Sequence, residues 1–81
     1  MNLQKIFGET IRKKRLEKKI SQVTLSFESD IDRTYISGIE KGERNISIQV
    51  AYKLASALQI SFSDLIKEIE NHGEYHKLHK S

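Results

Sequence analysis

The chain has 81 residues, 37% of them apolar, with a net charge of +3 and neither cysteine nor proline. This length fits one domain, and the absence of cysteine excludes disulfides and thiolate zinc sites. No apolar run is long enough for a membrane span or for the centre of a signal peptide, so we expect a soluble, unprocessed, cytoplasmic protein. Residues 1–19 contain seven basic and two acidic side chains. Such localised charge attracts phosphate or anionic lipid, although a solvated helix face explains it equally well.

The first three helices are predicted from apolar spacing and from their boundary residues. Residues 3–18 carry apolar side chains at a loose 3.6-residue period. Ser21 is a suitable N-cap for a short second helix. Asp32 can cap a third helix that runs through Glu40, after which Gly42 supplies a left-handed C-terminal residue.

Two further helices are predicted from serine caps, and no segment alternates cleanly enough to be a strand. Ser47 begins the fourth helix, and Ser61 with Asp64 forms a capping-box-like start for the fifth. The remaining residues, 72–81, are polar, and we predict a frayed tail there. The expected organisation is one domain over residues 1–71 followed by this tail.

The segment from Gln22 to Lys41 contains two short helices about three residues apart, which is the spacing of a helix-turn-helix. Ser26 is small where the two helices must cross, and Asp30 can occupy the left-handed turn position that glycine usually fills. A helical hairpin in a small bundle has the same spacing. The spacing alone therefore leaves DNA binding and a purely structural hairpin equally open.

Three segments carry a family resemblance: 21–25 (SQVTL), 32–48 (DRTYISGIEKGERNISI) and 53–58 (KLASAL). They resemble the lambda-repressor-like helix-turn-helix family, of the Cro and repressor type, over roughly residues 7–69. Members fold as five helices with the third in the DNA major groove. The resemblance thus implies an all-α, compact five-helix domain with its helix-turn-helix at about residues 22–41. Within the family, the sequence most resembles the controller proteins of restriction-modification systems, which are small dimeric regulators of their own operons.

The sequence departs from the family pattern at five positions. Lys14 stands where the family usually has an apolar residue, and Ile46 stands where proline is common. Asp30 replaces the turn glycine. Val23 and Phe27, four residues apart on the second helix, are apolar where the family is usually polar. They either contact the N-terminal segment or form an exposed patch.

Four side chains near the start of the third helix are the expected contacts with DNA bases. The Arg33 guanidinium can donate two hydrogen bonds to O6 and N7 of guanine; alternatively, it pairs with a neighbouring aspartate. Thr34 offers a hydroxyl and a methyl group, whereas Tyr35 either contacts the duplex or is partly buried against the second helix. The expected set is Arg33, Thr34, Tyr35 and Ser37.

The expected contacts with the DNA backbone are Gln22, Arg44 and Asn45. Gln22 lies in the first turn of the second helix, where backbone amides and the helix dipole attract phosphate. Arg44 and Asn45 resemble family positions that contact the DNA backbone or extend into the minor groove, and a solvated loop is the alternative for both. Gly38, inside the third helix, either lets the helix approach DNA more closely or is a tolerated surface glycine.

Two further groups of residues are expected to have structural roles and not to contact DNA: an ion pair between helices and an apolar stripe. The family usually pairs the positions of Arg15 and Glu40, so the resemblance implies a structural ion pair between the first and third helices. On the fifth helix, apolar residues recur at i, i+3, i+4 and i+7. We predict a dimer interface there, unless this stripe only completes the monomer core; its members are Phe62, Leu65, Ile66 and Ile69.

No cofactor, metal or enzymatic activity is predicted. His72, His76 and His79 have helix-compatible spacing, but no carboxylate cluster or cysteine completes a metal site. The expected partners are double-stranded operator DNA and a second copy of the chain, with RNA polymerase as a further candidate and no membrane. The alternatives are a stand-alone phage or host repressor and an antitoxin-like module that binds a protein through Val23 and Phe27.

Overall fold

The computed structural model describes residues 2–79, except for the side chain of His79. Within this range the chain forms five α-helices and one 3₁₀ helix, with no strand. The all-α, five-helix prediction is confirmed. The elements are α1 (Leu3–Glu17), α2 (Gln22–Ser29), α3 (Arg33–Glu40), α4 (Ile48–Ala57), α5 (Phe62–Glu70) and the 3₁₀ helix (Tyr75–His79).

Every α-helix begins at a residue whose side chain accepts a hydrogen bond from a backbone amide of the first turn. For example, Ser21 Oγ accepts from the Thr24 amide at 3.0 Å, and an Asp32 carboxylate oxygen accepts from the Thr34 amide at 2.9 Å. Such caps satisfy amides that have no intrahelical acceptor. The predicted caps at α2 to α5 are confirmed. Asn2, which caps α1, was not predicted.

Three helices end in the same way, with a left-handed residue after the last turn. These residues are Lys19 (φ 59°), Gly42 (φ 76°) and Gln59 (φ 60°). In each case the left-handed residue and the next one donate backbone hydrogen bonds to carbonyls of the last turn, which is the Schellman arrangement. Only Gly42 was predicted, because lysine and glutamine give no sequence signal for this backbone conformation.

The core receives apolar side chains from all five α-helices. α1 packs against α3 and α5, α2 packs against α3 and α4, and α4 packs against α5. α1 and α2 thus cover one face of α3, and the opposite face of α3 points outward from the protein. The fully buried side chains of the core are Ile6, Ile11, Leu25, Ile36, Ile39, Leu54, Leu58 and Leu65.

The prediction of a frayed tail is wrong for the part of it that the structure describes. Tyr75 and Leu78 are half-buried against the core, and the 3₁₀ helix contacts α1 and α5. His72 Nε2 lies 2.9 Å from Glu9 Oε1, which ties the start of this segment to α1. Two apolar side chains in a polar stretch produce no periodic signal, so the sequence did not indicate this packing. The last two tail residues, 80 and 81, lie outside the described residues.

Candidate nucleic-acid interface

The turn between α2 and α3 has the geometry that the sequence predicts. Asp30 ends α2 in the left-handed conformation (φ 58°), so the chain reverses there without a glycine. The Ser26 hydroxyl donates to the backbone carbonyl of Ile31, which fastens the turn to α2. Ile31 and Leu25 are both buried under the two helices. The result is a rigid pair of helices that shares one apolar side.

The outward face of α3 exposes Arg33 and Thr34. At about 100° per residue, Ser37 lies on the same outward side as Arg33, whereas Ile36 and Ile39 point into the core. The Arg33 side chain makes no hydrogen bond or ion pair with any other described residue, and the carboxylate of Asp32 caps α3 instead. The alternative in which Arg33 pairs with a neighbouring aspartate is therefore not observed. Its guanidinium remains available to a ligand.

Tyr35 anchors the loop that follows α3, a role that the sequence did not suggest. Its side chain is half-buried, and its hydroxyl donates to the backbone carbonyl of Asn45 at 3.0 Å. The guanidinium carbon of Arg44 lies 5.4 Å from the centre of the Tyr35 ring, within the range of a cation–π contact. The hydroxyl oxygen can still accept a hydrogen bond. The structure thus joins Tyr35 to Arg44 and Asn45 in one surface cluster.

Two of the side chains expected to contact the DNA backbone are engaged within the protein. Gln22 Nε2 donates to Glu40 Oε1 at 3.1 Å, and Gln4 Nε2 donates to Asn45 Oδ1 at 2.7 Å. A phosphate at the start of α2 would therefore meet backbone amides first, because a donor of the Gln22 side chain is already in use.

The ion pair expected between α1 and α3 is present and buried. Arg15 Nε and Nη2 donate to the two carboxylate oxygens of Glu40 at 2.7 and 3.0 Å, and Nη1 donates to the Ile20 carbonyl at 2.9 Å. The hydrogen bond with Glu40 holds the pKa of Arg15 above its usual value, although burial opposes this. A bidentate pair fixes both distance and orientation. It therefore locks the end of α3 onto α1.

The basic residues of α1 are partly neutralised by acidic neighbours. Lys14 Nζ lies 3.3 Å from Glu17 and 3.5 Å from Glu68, and Lys13 Nζ lies 3.7 Å from Glu68. Burial lowers the pKa of Lys14, but its hydrogen bond with Glu17 and its attraction to Glu68 together raise it above the usual value. This side of α1 is therefore a mixed-charge surface, as the solvated-face alternative proposed.

The structure divides the four apolar residues of α5 between the core and the surface. Leu65 is fully buried and completes the monomer core, whereas Ile69 is 6% exposed and borders an apolar groove at the edge of that core. The interface prediction is corrected for Leu65, because periodicity identifies one apolar face but not what covers it. Ile66 is 40% exposed and Phe62 is half-buried. Both line an open groove of about 440 Å³, together with Leu3, Ile46, Ile48 and Tyr75.

A second apolar surface lies on α2. Val23 and Phe27 are 60% and 89% exposed, so they form an exposed patch and are not covered by the N-terminal segment. This decides between the two possibilities that the sequence left open.

Neither a metal site nor a membrane span is found in the part of the chain that the structure describes. No group of three His, Cys, Asp or Glu side chains there could hold a metal ion. The side chain of His79 lies outside the described residues. No described helix has the length and apolar character needed to cross a bilayer.

The fold and the exposed face of α3 define a helix-turn-helix protein. The helix-turn-helix family model matches residues 11–65. The control protein C.BamHI of Bacillus amyloliquefaciens is 44% identical over 66 residues, which cover 80% of this chain and 82% of that protein. The restriction-modification controller protein C.AhdI from Aeromonas hydrophila has a similar crystal structure, with a TM-score of 0.74 and 44% identity over 76% of this chain and 94% of that one.

A third similar structure is the controller protein C.Esp1396I, solved as a tetramer with its natural 35 base-pair operator. Its TM-score is 0.75 at 41% identity, over 85% of this chain and 96% of that one. The chain therefore belongs to the helix-turn-helix family and, within it, to the control proteins of restriction-modification systems.

Proposed function

We propose that this protein is a sequence-specific transcription regulator that binds a palindromic operator as a homodimer and controls a restriction-modification operon, including its own gene. The observation that carries the proposal is the outward face of α3, where the Arg33 side chain is exposed and makes no hydrogen bond or ion pair with any other described residue. A regulator of this kind would act in the cytoplasm. The chemistry needs no cofactor, since recognition of this kind involves only hydrogen bonds, apolar contacts and charge.

Base recognition would come from the first two turns of α3. The planar fork of Arg33 matches O6 and N7 of guanine, and the Thr34 hydroxyl and methyl suit a base edge or the methyl group of thymine. Ser37 follows Arg33 one turn later on the same side, so all three side chains can reach one groove. The ion pair between Arg15 and Glu40 would keep α3 in a fixed orientation against the duplex.

Contacts with phosphate would come from both ends of the motif. The first turn of α2 offers backbone amides beside Gln22, and Arg44 with Asn45 follows the end of α3. These contacts would set the register of α3 on DNA, while the exposed side chains of α3 supply specificity.

A dimer is part of the proposal because one short helix reads few base pairs. Two recognition helices about 34 Å apart would read successive major grooves on one side of the duplex. The apolar groove beside α5, lined by Ile48, Phe62 and Ile66, supports a second copy as its occupant. The relative solved as a tetramer on its operator supports assembly on DNA as well. We assign DNA binding and dimerisation to residues 1–71.

Footprinting on the DNA upstream of the gene for this protein tests the proposal. Wild-type protein should protect two half-sites about ten base pairs apart, centre to centre. Arg33→Ala should lose this protection at concentrations where Lys67→Ala, a matched loss of one exposed positive charge on α5, retains it. Absence of protection at low salt, or protection that is indifferent to sequence, would contradict the proposed function.

A further inference from the structure

Gly38 is buried although it lies on the outward side of α3. It is four residues after Thr34 and three after Tyr35, so it is their direct neighbour on the helix surface. A residue at that place is covered only if another part of the chain lies over it. The cover is the side chain of Arg44: a methyl group on Gly38 would lie 3.0 Å from both Cγ and Nε of Arg44. The Arg44 side chain therefore runs across α3 in the space that the missing Cβ leaves.

Several contacts hold the Arg44 side chain and its loop in this place. The guanidinium lies over the Tyr35 ring, 5.4 Å from its centre, and the Tyr35 hydroxyl donates to the Asn45 carbonyl at 3.0 Å. The Glu43 amide donates to the Gly38 carbonyl at 2.9 Å. On the far side, Gln4 donates to the Asn45 side chain at 2.7 Å. The loop is thus tied both to α3 and to α1, and Arg44 is bordered by a ring on one side and a glycine below.

We propose that Gly38 is a positioning residue for DNA binding: its missing side chain forms the channel that holds Arg44 along the outward face of α3. The guanidinium is then presented to DNA beside the Tyr35 ring before any complex forms. Ordering a long, flexible side chain costs free energy when it occurs on binding, so a side chain that is already ordered binds more tightly. The inference rests on the proposed function, since the partner of Arg44 is DNA.

This role differs from the other explanation of a glycine at this place, in which the bare helix simply lets DNA approach more closely. The two explanations make different predictions when Arg44 is absent. If Gly38 acts through Arg44, a methyl group at position 38 has nothing to displace in an Arg44→Ala protein. If the methyl group obstructs DNA, it does so whether or not Arg44 is present.

The first experiment uses the protein without DNA. Proton NMR contacts between the Arg44 side chain and the Tyr35 ring are compared in wild type, Gly38→Ala and Gly38→Leu. We expect them to weaken in the alanine variant and to disappear in the leucine variant, because the larger side chain fills the channel. The thermal midpoint should stay equal or rise, since alanine and leucine are better helix formers than glycine. Contacts that persist unchanged in Gly38→Leu overturn the inference.

The second experiment measures affinity for the footprinted operator in a double-mutant cycle. Gly38→Ala should weaken binding roughly two- to threefold per protomer and Gly38→Leu on the order of tenfold, since one side chain loses its order. In the Arg44→Ala background, Gly38→Ala should change affinity less than about twofold. Gly73→Ala is the matched control, because a methyl group there meets open space.

The possible outcomes distinguish a failure of the positioning role of Gly38 from a failure of the proposed function. Equal losses from Gly38→Ala in both backgrounds, with normal binding by wild type, refute the positioning role alone and favour direct obstruction of DNA. Wild-type binding by Gly38→Leu refutes it as well. A wild-type protein that binds no operator refutes the proposed function and with it this role in DNA binding.

Discussion

Gly8 of α1 lies against the backbone carbonyl of Ile39 in α3, so closely that a methyl group on Gly8 would overlap the carbonyl oxygen. The same methyl group would lie 3.0 Å from the Glu40 carbonyl oxygen. α1 and α3 can thus approach this closely only because α1 has no side chain at that point. Two turns further along α1, Arg15 holds Glu40. The crossing and the ion pair together fix the position of α3.

Gly8→Ala should therefore destabilise the protein. Its new methyl group meets backbone atoms, which cannot rotate away as a flexible side chain could, so α1 and α3 must separate. We expect a loss of about 1–3 kcal/mol or more in the free energy of unfolding, measured by urea denaturation. Gly73→Ala is the control and should be nearly neutral, since its methyl group meets open space. Equal stability of the two variants would show that the crossing tolerates a side chain.

Removal of one member of the buried ion pair should also be costly. Arg15→Ala leaves the Glu40 carboxylate buried with the amide of Gln22 as its remaining side-chain donor, and it frees the Ile20 carbonyl. We expect a loss of about 3–5 kcal/mol in the free energy of unfolding. Arg12→Ala, an exposed arginine on the same helix, should change it by less than about 0.5 kcal/mol.

A double-mutant cycle separates pairing from packing at this site. The double variant Arg15→Ala/Glu40→Ala should be less destabilised than the sum of the two single variants, because no unpaired charge remains. Additive losses would mean that the pair contributes only through its packing.

The local features of the fold could be predicted from the sequence because they depend on neighbouring residues. Ser21 and Asp32 indicate where helices begin, since capping requires a short polar side chain two or three residues before a free backbone amide. The turn at Asp30 follows from the spacing of the two helices around it. Lys19 and Gln59 could not be recognised in the same way, because their left-handed conformation is imposed by the Schellman hydrogen bonds that close the preceding helix.

Apart from the ion pair between Arg15 and Glu40, which the family resemblance implied, the features that depend on two distant elements could not be predicted. Nothing near Gly8 in the sequence indicates that the carbonyl of Ile39 will lie against it. Similarly, the stripe on α5 shows an apolar face, but only the packing of α1 and α4 assigns Leu65 and Ile69 to the core. The half of the candidate site formed by exposed α3 residues was accessible from the family resemblance. The cluster of Tyr35 with the loop after α3 was not, because it joins residues through a backbone carbonyl.

Arg33→Ala and Arg44→Ala should weaken DNA binding in different ways. Loss of Arg33 should relax the preference for guanine at one position in each half-site, worth about 1–3 kcal/mol of discrimination, because a bidentate base contact is lost. Loss of Arg44 should lower affinity more evenly across sequences, as expected for a phosphate contact. Selection from a randomised operator library measures both. Equal losses of affinity in the two variants, independent of the operator sequence, would show that Arg33 does not recognise a base.

The affinity for operator should fall steeply with salt. Each phosphate that the protein neutralises contributes a slope of about −0.9 to log K against log salt concentration. Arg44→Ala should reduce the magnitude of this slope by about one unit. Gln22→Ala should leave the slope nearly unchanged, because Gln22 is neutral and its side-chain amide donates a hydrogen bond to Glu40. The slopes are measured by fluorescence anisotropy titrations at salt concentrations from about 50 to about 300 mM, a range in which salt screens charges strongly. A flat wild-type dependence would contradict DNA binding.

The proposed dimer interface is best tested at Ile66, because Ile69 is 6% exposed and we expect a charge there to destabilise the monomer itself. Ile66 is 40% exposed and shares the apolar groove with Ile48, which is 79% exposed. An aspartate at position 66 can remain solvated in the monomer, but it would be buried and unpaired beneath a second copy. Ile66→Asp should therefore keep its helical circular dichroism and weaken the dimer by roughly a hundredfold.

Phe27→Asp is the matched control for Ile66→Asp, since it introduces the same charge on the other exposed apolar surface, at a side chain that is 89% exposed. Sedimentation equilibrium should find wild type and Phe27→Asp dimeric at micromolar concentration and Ile66→Asp monomeric. On a palindromic operator Ile66→Asp should bind much more weakly than wild type, while the two should bind an isolated half-site alike, because α3 is unchanged. If Phe27→Asp is the variant that dissociates, the interface lies on α2; if both remain dimeric, it lies on neither surface.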